Sequence, residues 1–279
     1  MKWTIAFDSS CDLRDFAPLS SVDLELVPLT VLVGQKEFID DGTTPLETLQ
    51  QSLDEEKGKT GTACPSVGAW QQVMEAGENV IALTLSSAVS GCYQSACMAR
   101  DMVLEEHPEK HICVVDSVSG SGGILFLLRR AVELIEQGAS FEAVCQGMQE
   151  CRSRCEIFFL LQNVDNLVSN GRLNALVGRA VKALKLCMLS TVSREGTMEV
   201  IAKVRNFGKT MDRTIEECLR RGCTGRKIII SHCLNLDGAQ KLKEKLLSKF
   251  PQADIEIMRT GLICGYYAEK GGLIVALEN

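Results

Sequence analysis

Short apolar runs alternate with helix-period stretches along all 279 residues, and that alternation predicts an α/β fold with mainly parallel sheets. The length fits two modest domains. A long helical region, residues 122–137 and then 141–152, separates two strand-helix series. It puts a boundary near residue 154, giving an N-terminal α/β domain over 1–154 and a C-terminal α/β domain over 155–279. No Pro/Gly/Ser-rich linker marks the boundary, so the two are expected to pack tightly.

The elements follow in order. Runs 3–7, 24–33, 80–85, 112–115, 155–161, 187–192, 227–231 and 255–259 are short, apolar and bounded by turn residues, and read as strands. Residues 44–53 open with Thr-Thr-Pro-Leu-Glu, which predicts a helix with a threonine cap and a proline in its first turn. Residues 90–102 and 175–184 read as helices. Phe141, Val144, Cys145 and Met148 recur at the helical spacing i, i+3, i+4, i+7. Met211, Ile215, Cys218 and Leu219 do so too, and Leu242, Leu246, Leu247 and Phe250 line another helix. Residues 33–39 and 193–200 read as hairpins, the second turning at Glu195-Gly196.

The chain is 46% hydrophobic and 24% charged, an ordinary globular mixture. Its net charge of −6 argues against a nucleic-acid partner. Arg220-Arg221 and the lysines of 241–249 read as solvated helix faces. The opening residues lack a secretory pattern and no apolar run has the length of a membrane span, so the expected compartment is the cytoplasm. Thirteen cysteines are many. Cys97, Cys113, Cys145, Cys187 and Cys218 fall at apolar periodic positions, as small buried thiols do. Cys151 and Cys155 lie four apart, but no second pair or histidine completes a metal set, so no metal and no cofactor are expected.

Four turns carry hydroxyls or charge where a strand hands over to the next element. Residues 84–96 read Thr-Leu-Ser-Ser-Ala-Val-Ser-Gly-Cys-Tyr-Gln-Ser-Ala, between an apolar strand and a helix. The first amides of a helix lack backbone partners and carry partial positive charge, so such a turn can hold an anionic oxygen. Ser90 can equally be an ordinary helix cap. Asp8-Ser9-Ser10-Cys11-Asp12 lies at a strand's carboxyl end, where open α/β sheets place ligands; Ser10 or Asp12 capping a short helix is the plainer alternative. Thr62, in Thr60-Gly61-Thr62-Ala63-Cys64-Pro65-Ser66, precedes a helix start and with Ser90 can form a neutral pincer for an anionic or hydroxyl head group; two unrelated caps are the plainer alternative. Arg172 follows an Asn-Gly turn; it can pair with a carboxylate, or tie two domains together through loop carbonyls. A further hydroxyl turn, Asp116 to Gly123, lacks the lysine of a P-loop. No Ser-His-Asp set, nucleophile elbow or paired acids stand out, and hydroxyls without a base bind more readily than they react.

Taken in order, these motifs resemble those of the DegV family of fatty-acid-binding proteins. Asp8-Ser9-Ser10-Cys11-Asp12-Leu13 resembles D-S-T-x-D-L, and Asp40-Asp41-Gly42 resembles the D-G after the hairpin. Thr62-Ala63-Cys64-Pro65-Ser66 is similar to T-S-Q-P-S. Residues 86–96 are similar to S-S-x-L-S-G-T-Y-Q-S-A, the most specific piece. Asp116-Ser117 with Gly122-Gly123, Asn170-Gly171-Arg172-Leu173, and Lys203-Val204-Arg205 resemble the family's D-S-x-x-x-S-x-G, G-G-R-I and K-V-R.

The resemblance implies two α/β domains with a long-chain fatty acid between them. Thr62 and Ser90 would contact the carboxylate, Gly91 and Cys92 would supply nearby amides, and Arg172 would organise the interface by the head group. The acyl tail would be buried in the C-terminal domain. The protein would not be the catalyst; it would present the acyl chain to a separate fatty acid kinase, which makes acyl phosphate for phospholipid synthesis. Four positions depart from the pattern. Ala63 and Cys64 replace S and Q, Cys92 replaces threonine, and Tyr267 stands where the C-terminal motif has histidine. Tyrosine can donate a hydrogen bond there. Apolar stretches at 157–161, 173–176, 181–189 and 262–263 suit either a lipid tail or an ordinary core. The competing reading is a phosphotransfer enzyme or subunit distantly similar to dihydroxyacetone kinases; those hold substrate on a histidine, and the matching position here offers none.

Overall fold

The computed structural model describes residues 2–14, 21–56 and 58–279. In the first half, β1 (Trp3–Asp8), β2 (Val22–Val27), β3 (Thr30–Val33) and β4 (Lys36–Ile39) precede α1 (Leu46–Glu55). There follow β5 (Thr60–Ala63), α2 (Val67–Ala76), β6 (Asn79–Thr84), α3 (Cys92–Glu106), β7 (His111–Asp116), α4 (Gly122–Glu136) and α5 (Phe141–Arg154). The second half opens with β8 (Cys155–Leu161), α6 (Asp165–Ser169), α7 (Ala175–Ala183), β9 (Cys187–Val192) and β10 (Met198–Val204). It closes with α8 (Phe207–Arg220), β11 (Lys227–His232), α9 (Leu236–Leu247), β12 (Asp254–Arg259), α10 (Leu262–Ala268) and β13 (Leu273–Glu278). Among the described residues no helix is long and apolar enough to cross a membrane.

Three sheets result. The first, in the order β2-β1-β6-β7, is wholly parallel. The second, β10-β9-β8-β13-β11-β12, corrects the expectation of mainly parallel pairing. Only β11 and β12, joined through α9, run parallel; the other four pairings are antiparallel. A short turn at residues 193–197 can join β9 to β10 only in the antiparallel sense. The last strand, β13, returns from α10 and slots between β8 and β11, reversing direction against both. The continuous apolar run Leu273–Glu278 was not among the expected strands, and it supplies this central strand. The third sheet, β4-β3-β5, is small and antiparallel. The expected strand over 24–33 breaks at Pro28, which has no N–H to give a ladder. The chain thereby leaves the first sheet and enters the third.

Helix α4 lies between the first and second sheets. Ile124, Leu125, Leu127 and Leu128 share one core with Ile5, Phe7, Ile81 and Leu83 on one side and Ile229 and Ala276 on the other. At Gly122 the approach is closest, for a Cβ there would stand 2.8 Å from Ile229 Cβ. On the opposite face of the first sheet, α2 and α3 cover Ala6, Val80 and Ala82 with Trp70, Met74, Ala96 and Ala99. Behind the second sheet, α8 and α9 pack Met211, Ile215, Leu242 and Leu246 against Phe158, Leu160, Ile230 and Val275. The remaining core draws Leu29 and Val31 of the first half together with Leu161, Leu167, Ile263 and Ile274 of the second.

Helix starts differ in detail from expectation. Pro45 is the N-cap of α1, one residue before the helix, and no side chain caps it. Ser66 caps α2 by accepting from Ala69 N at 3.1 Å. At α3 the cap residue is Gly91, so Ser90 is not the N-cap.

Candidate functional site

A cavity of about 100 Å³ lies where this last core opens, walled by both halves of the chain. Leu85 and Val89 come from the β6–α3 turn, Phe159 and Leu161 from β8, Val192 and Met198 from the β9–β10 hairpin, and Ile263 and Ala268 from α10. The strand period of two explains the choice on β8: Phe159 and Leu161 face the cavity, while Phe158 and Leu160 face α8 and α9.

The wall is almost wholly apolar, and most of its hydroxyls are already engaged. Ser10 Oγ donates to Asp8, Ser86 Oγ donates to Gly196 O at 2.9 Å, and Ser121 Oγ donates to Asp12 at 2.6 Å. Ser119, Arg172 and Tyr267 also reach it. Half-buried Arg172 donates from Nε to Val89 O at 3.0 Å and from Nη1 to Asn170 O at 2.5 Å. Its Cζ lies 6.0 Å from the centre of the Tyr267 ring. Among the described residues, no carboxylate forms an ion pair with this guanidinium. The tie to loop carbonyls expected of Arg172 is therefore present.

Thr62 joins this cluster from β5, its Oγ1 2.8 Å from Tyr267 Oη. Thr62, Tyr267 and Arg172 thus form one contiguous group assembled from β5, α10 and the turn after α6. The other expected residues stand one step away. Ser90 Oγ donates to Cys92 Sγ at 3.1 Å and accepts from Cys92 N at 3.3 Å. Ser90, Gly91 and Cys92 do not form the cavity wall; they connect to Arg172 through the carbonyl of their neighbour Val89. Cys92 is fully buried, and burial together with the charge of Asp8 drives its thiol far up, so it stays protonated.

The acidic turns do different work from that expected of them. Asp8, Asp12 and Asp40 are all buried. Asp8 accepts from Leu85 N at 2.6 Å and from Ser10 N at 3.1 Å, fixing the β6–α3 turn against the single 3-10 turn Ser9–Cys11. Asp12 accepts from Gly261 N at 2.7 Å. Asp40 accepts from Leu262 N at 2.8 Å and Ile263 N at 3.1 Å, and pairs with Arg14 at 2.7 Å. Together they satisfy the free amides at the start of α10, the helix that carries Ile263, Tyr267 and Ala268 into the cavity. Burial pushes the Asp8 carboxyl up, against its hydrogen bonds from Ser10 and Leu85. Burial likewise raises Asp12 to about 6, opposed by Arg14. Sequence spacing carried no sign of this role, because Asp12 and Asp40 meet α10 across more than two hundred residues.

Tyr266, beside Tyr267, was also missed. Its buried ring is edge-on to Tyr267, and its Oη meets Thr60 Oγ1 at 2.7 Å and Asn170 Nδ2 at 2.8 Å. Thr60 and Thr62 thus each meet a tyrosine of α10, and the paired spacing is the signal that was available.

The family model DegV, described as "Uncharacterised protein, DegV family", matches residues 2–278. A DegV domain-containing protein of Streptococcus gordonii is 35% identical over 279 residues, covering 100% of this chain and 99% of that one. The fold is similar to that of the Fatty Acid Kinase (Fak) B3 protein of Streptococcus pneumoniae, crystallised loaded with linoleic acid. That match has 34% identity and a TM-score of 0.96, over 100% of this chain and 99% of the other. A DegV family protein from Eubacterium eligens, loaded with heptadecanoic acid, matches at 30% identity and TM-score 0.93 over 99% of each chain. Collinear motifs, a shared fold and matches along the whole length agree: this chain belongs to the DegV family.

Proposed function

We propose that this protein binds one long-chain fatty acid and presents it to a separate fatty acid kinase. The carrying observation is an apolar cavity that meets a half-buried arginine with no ion-pair partner among the described residues. The carboxylate accepts from Arg172, Tyr267 and Thr62, and Ser90, Gly91 and Cys92 support the head-group end through the Val89 carbonyl that holds Arg172. The acyl tail lies among Phe159, Leu161, Val192, Met198 and Ile274. Burial at about 0.8 kcal/mol per methylene makes the tail the larger source of affinity, and the polar cluster sets its direction. In this reading residues 1–154 carry the head-group loops and residues 155–279 bury most of the tail. Hydroxyls and a guanidinium hold an anion without turning it over, so the chain acts as a carrier and the kinase does the chemistry. The proposed setting is the bacterial cytoplasm.

The loaded relatives from Streptococcus pneumoniae and Eubacterium eligens support this reading. Its test is solvent extraction of the purified protein followed by mass spectrometry of the lipid fraction. One fatty acid per chain is the expected result. A protein that arrives empty and takes up no added fatty acid would overturn it.

A further inference from the structure

All thirteen cysteines are free, and two of them meet at the end of α8. There Gly222 N donates to Leu219 O at 3.1 Å and Cys223 N donates to Cys218 O at 2.9 Å, with Gly222 at φ +73°. This paired closure brings the side chains at the two ends of the last helical turn face to face, usually as an apolar contact. Here both positions are cysteine. The short backbone link keeps the two Cα atoms within ~7 Å, the reach of a disulfide. The thiols sit in the core behind the second sheet and are not part of the cavity wall.

We propose that Cys218 and Cys223 form a reversible dithiol site, which a low-molecular-weight disulfide converts to an intramolecular disulfide closing the last turn of α8. Cys223 is the more accessible, 6% exposed against 0% for Cys218. A reagent therefore reaches Cys223 first, and its thiolate makes the first attack. The Cys223 thiolate takes one sulfur of the reagent; the reagent's S–S bond breaks and its other half leaves as a thiol. Cys218 then gives up its proton and attacks the Cys223 sulfur, and the second reagent thiol departs. Two protein thiols are oxidised, and one reagent disulfide is reduced to two thiols.

The test uses the full-length protein and oxidised glutathione, followed by maleimide capping and peptide mapping. The expected product lacks maleimide at both positions, is lighter by two hydrogens, and returns to the dithiol with excess reductant. Exposed Cys64 serves as the control, carrying a glutathione adduct under the same conditions. In Cys218→Ser the reaction should stop at a stable adduct on Cys223. Two free thiols at 218 and 223 while Cys64 is modified would overturn the proposal, as would a persistent glutathione adduct on Cys223 of the wild type. Neither result bears on fatty-acid binding, which is read separately by lipid extraction.

Discussion

Arg172 is the residue on which the head-group reading turns. Its guanidinium is oriented by two carbonyls and, among the described residues, pairs with no carboxylate. Arg172→Ala should weaken fatty-acid binding by about 1.5–3 kcal/mol, the worth of a charge-assisted hydrogen bond, read as a roughly 10- to 100-fold rise in Kd by titration. Unchanged affinity would remove it from the site. Asp12 supplies a pH prediction. Its buried carboxyl sits at about 6, above the unfolded value. Between about pH 4 and 6 the native state therefore holds a proton that the unfolded chain has released. Asp12 thus contributes stability that fades as pH rises through that window. Compared with Asp12→Asn, the wild type should gain on the order of 2–3 kcal/mol when pH falls from 6.5 to 4, measured by denaturant unfolding. Thr62, Ser90 and Arg172 were legible in the sequence because each sits in a local motif. Tyr267 was named only through its place in the C-terminal motif; its contact with Thr62, and that of Arg172 with the Val89 carbonyl, join distant segments, so no spacing announced either contact.

At the scale of elements, α10 and the β9–β10 hairpin are held over the cavity by polar contacts from the first half. Asp40 receives both first amides of α10 and the Arg14 charge, so Asp40→Ala leaves a mostly buried cation unpaired. The expected cost is about 3–5 kcal/mol, with faster hydrogen exchange across Leu262–Ala268 as its local signature. The hairpin tip bears on Ser86 through Gly196, at φ +84° with the Ser86 hydroxyl where a Cβ would go. Gly196→Ala should cost more than 1 kcal/mol through the backbone conformation alone and should loosen Val192 and Met198 from the cavity. An exchange rate of bound fatty acid equal to that of wild type would refute that coupling. Alternation of strand and helix patterns fixed the element types well. Strand direction was another matter, because a chain's return path depends on which neighbour it docks beside, and β13 docks between two strands that run against it.

At the scale of the whole molecule, both halves wall the same cavity, so an occupant that binds only the folded chain must stabilise all of it. Saturating fatty acid at about 100 times Kd should add roughly 2.7 kcal/mol to unfolding, seen as a single shifted thermal transition. A shift confined to one of two transitions would contradict it. A change of strand series suggested a boundary near residue 154; the sharing of cores across that point was not readable, because periodicity marks which face of a helix is apolar and not how many partners that face has. Helix α4 makes the consequence concrete. Its residues Ile124 to Leu128 are claimed by two sheets at once, one from each side of that boundary. Residues 1–154 made alone would carry an uncovered apolar flank where Ile229 and Ala276 should sit, the kind of patch that drives aggregation. The two segments should therefore be poorly soluble apart and recover when co-expressed, so that folding is a joint event and a ribosome must finish the second half before the first is safe.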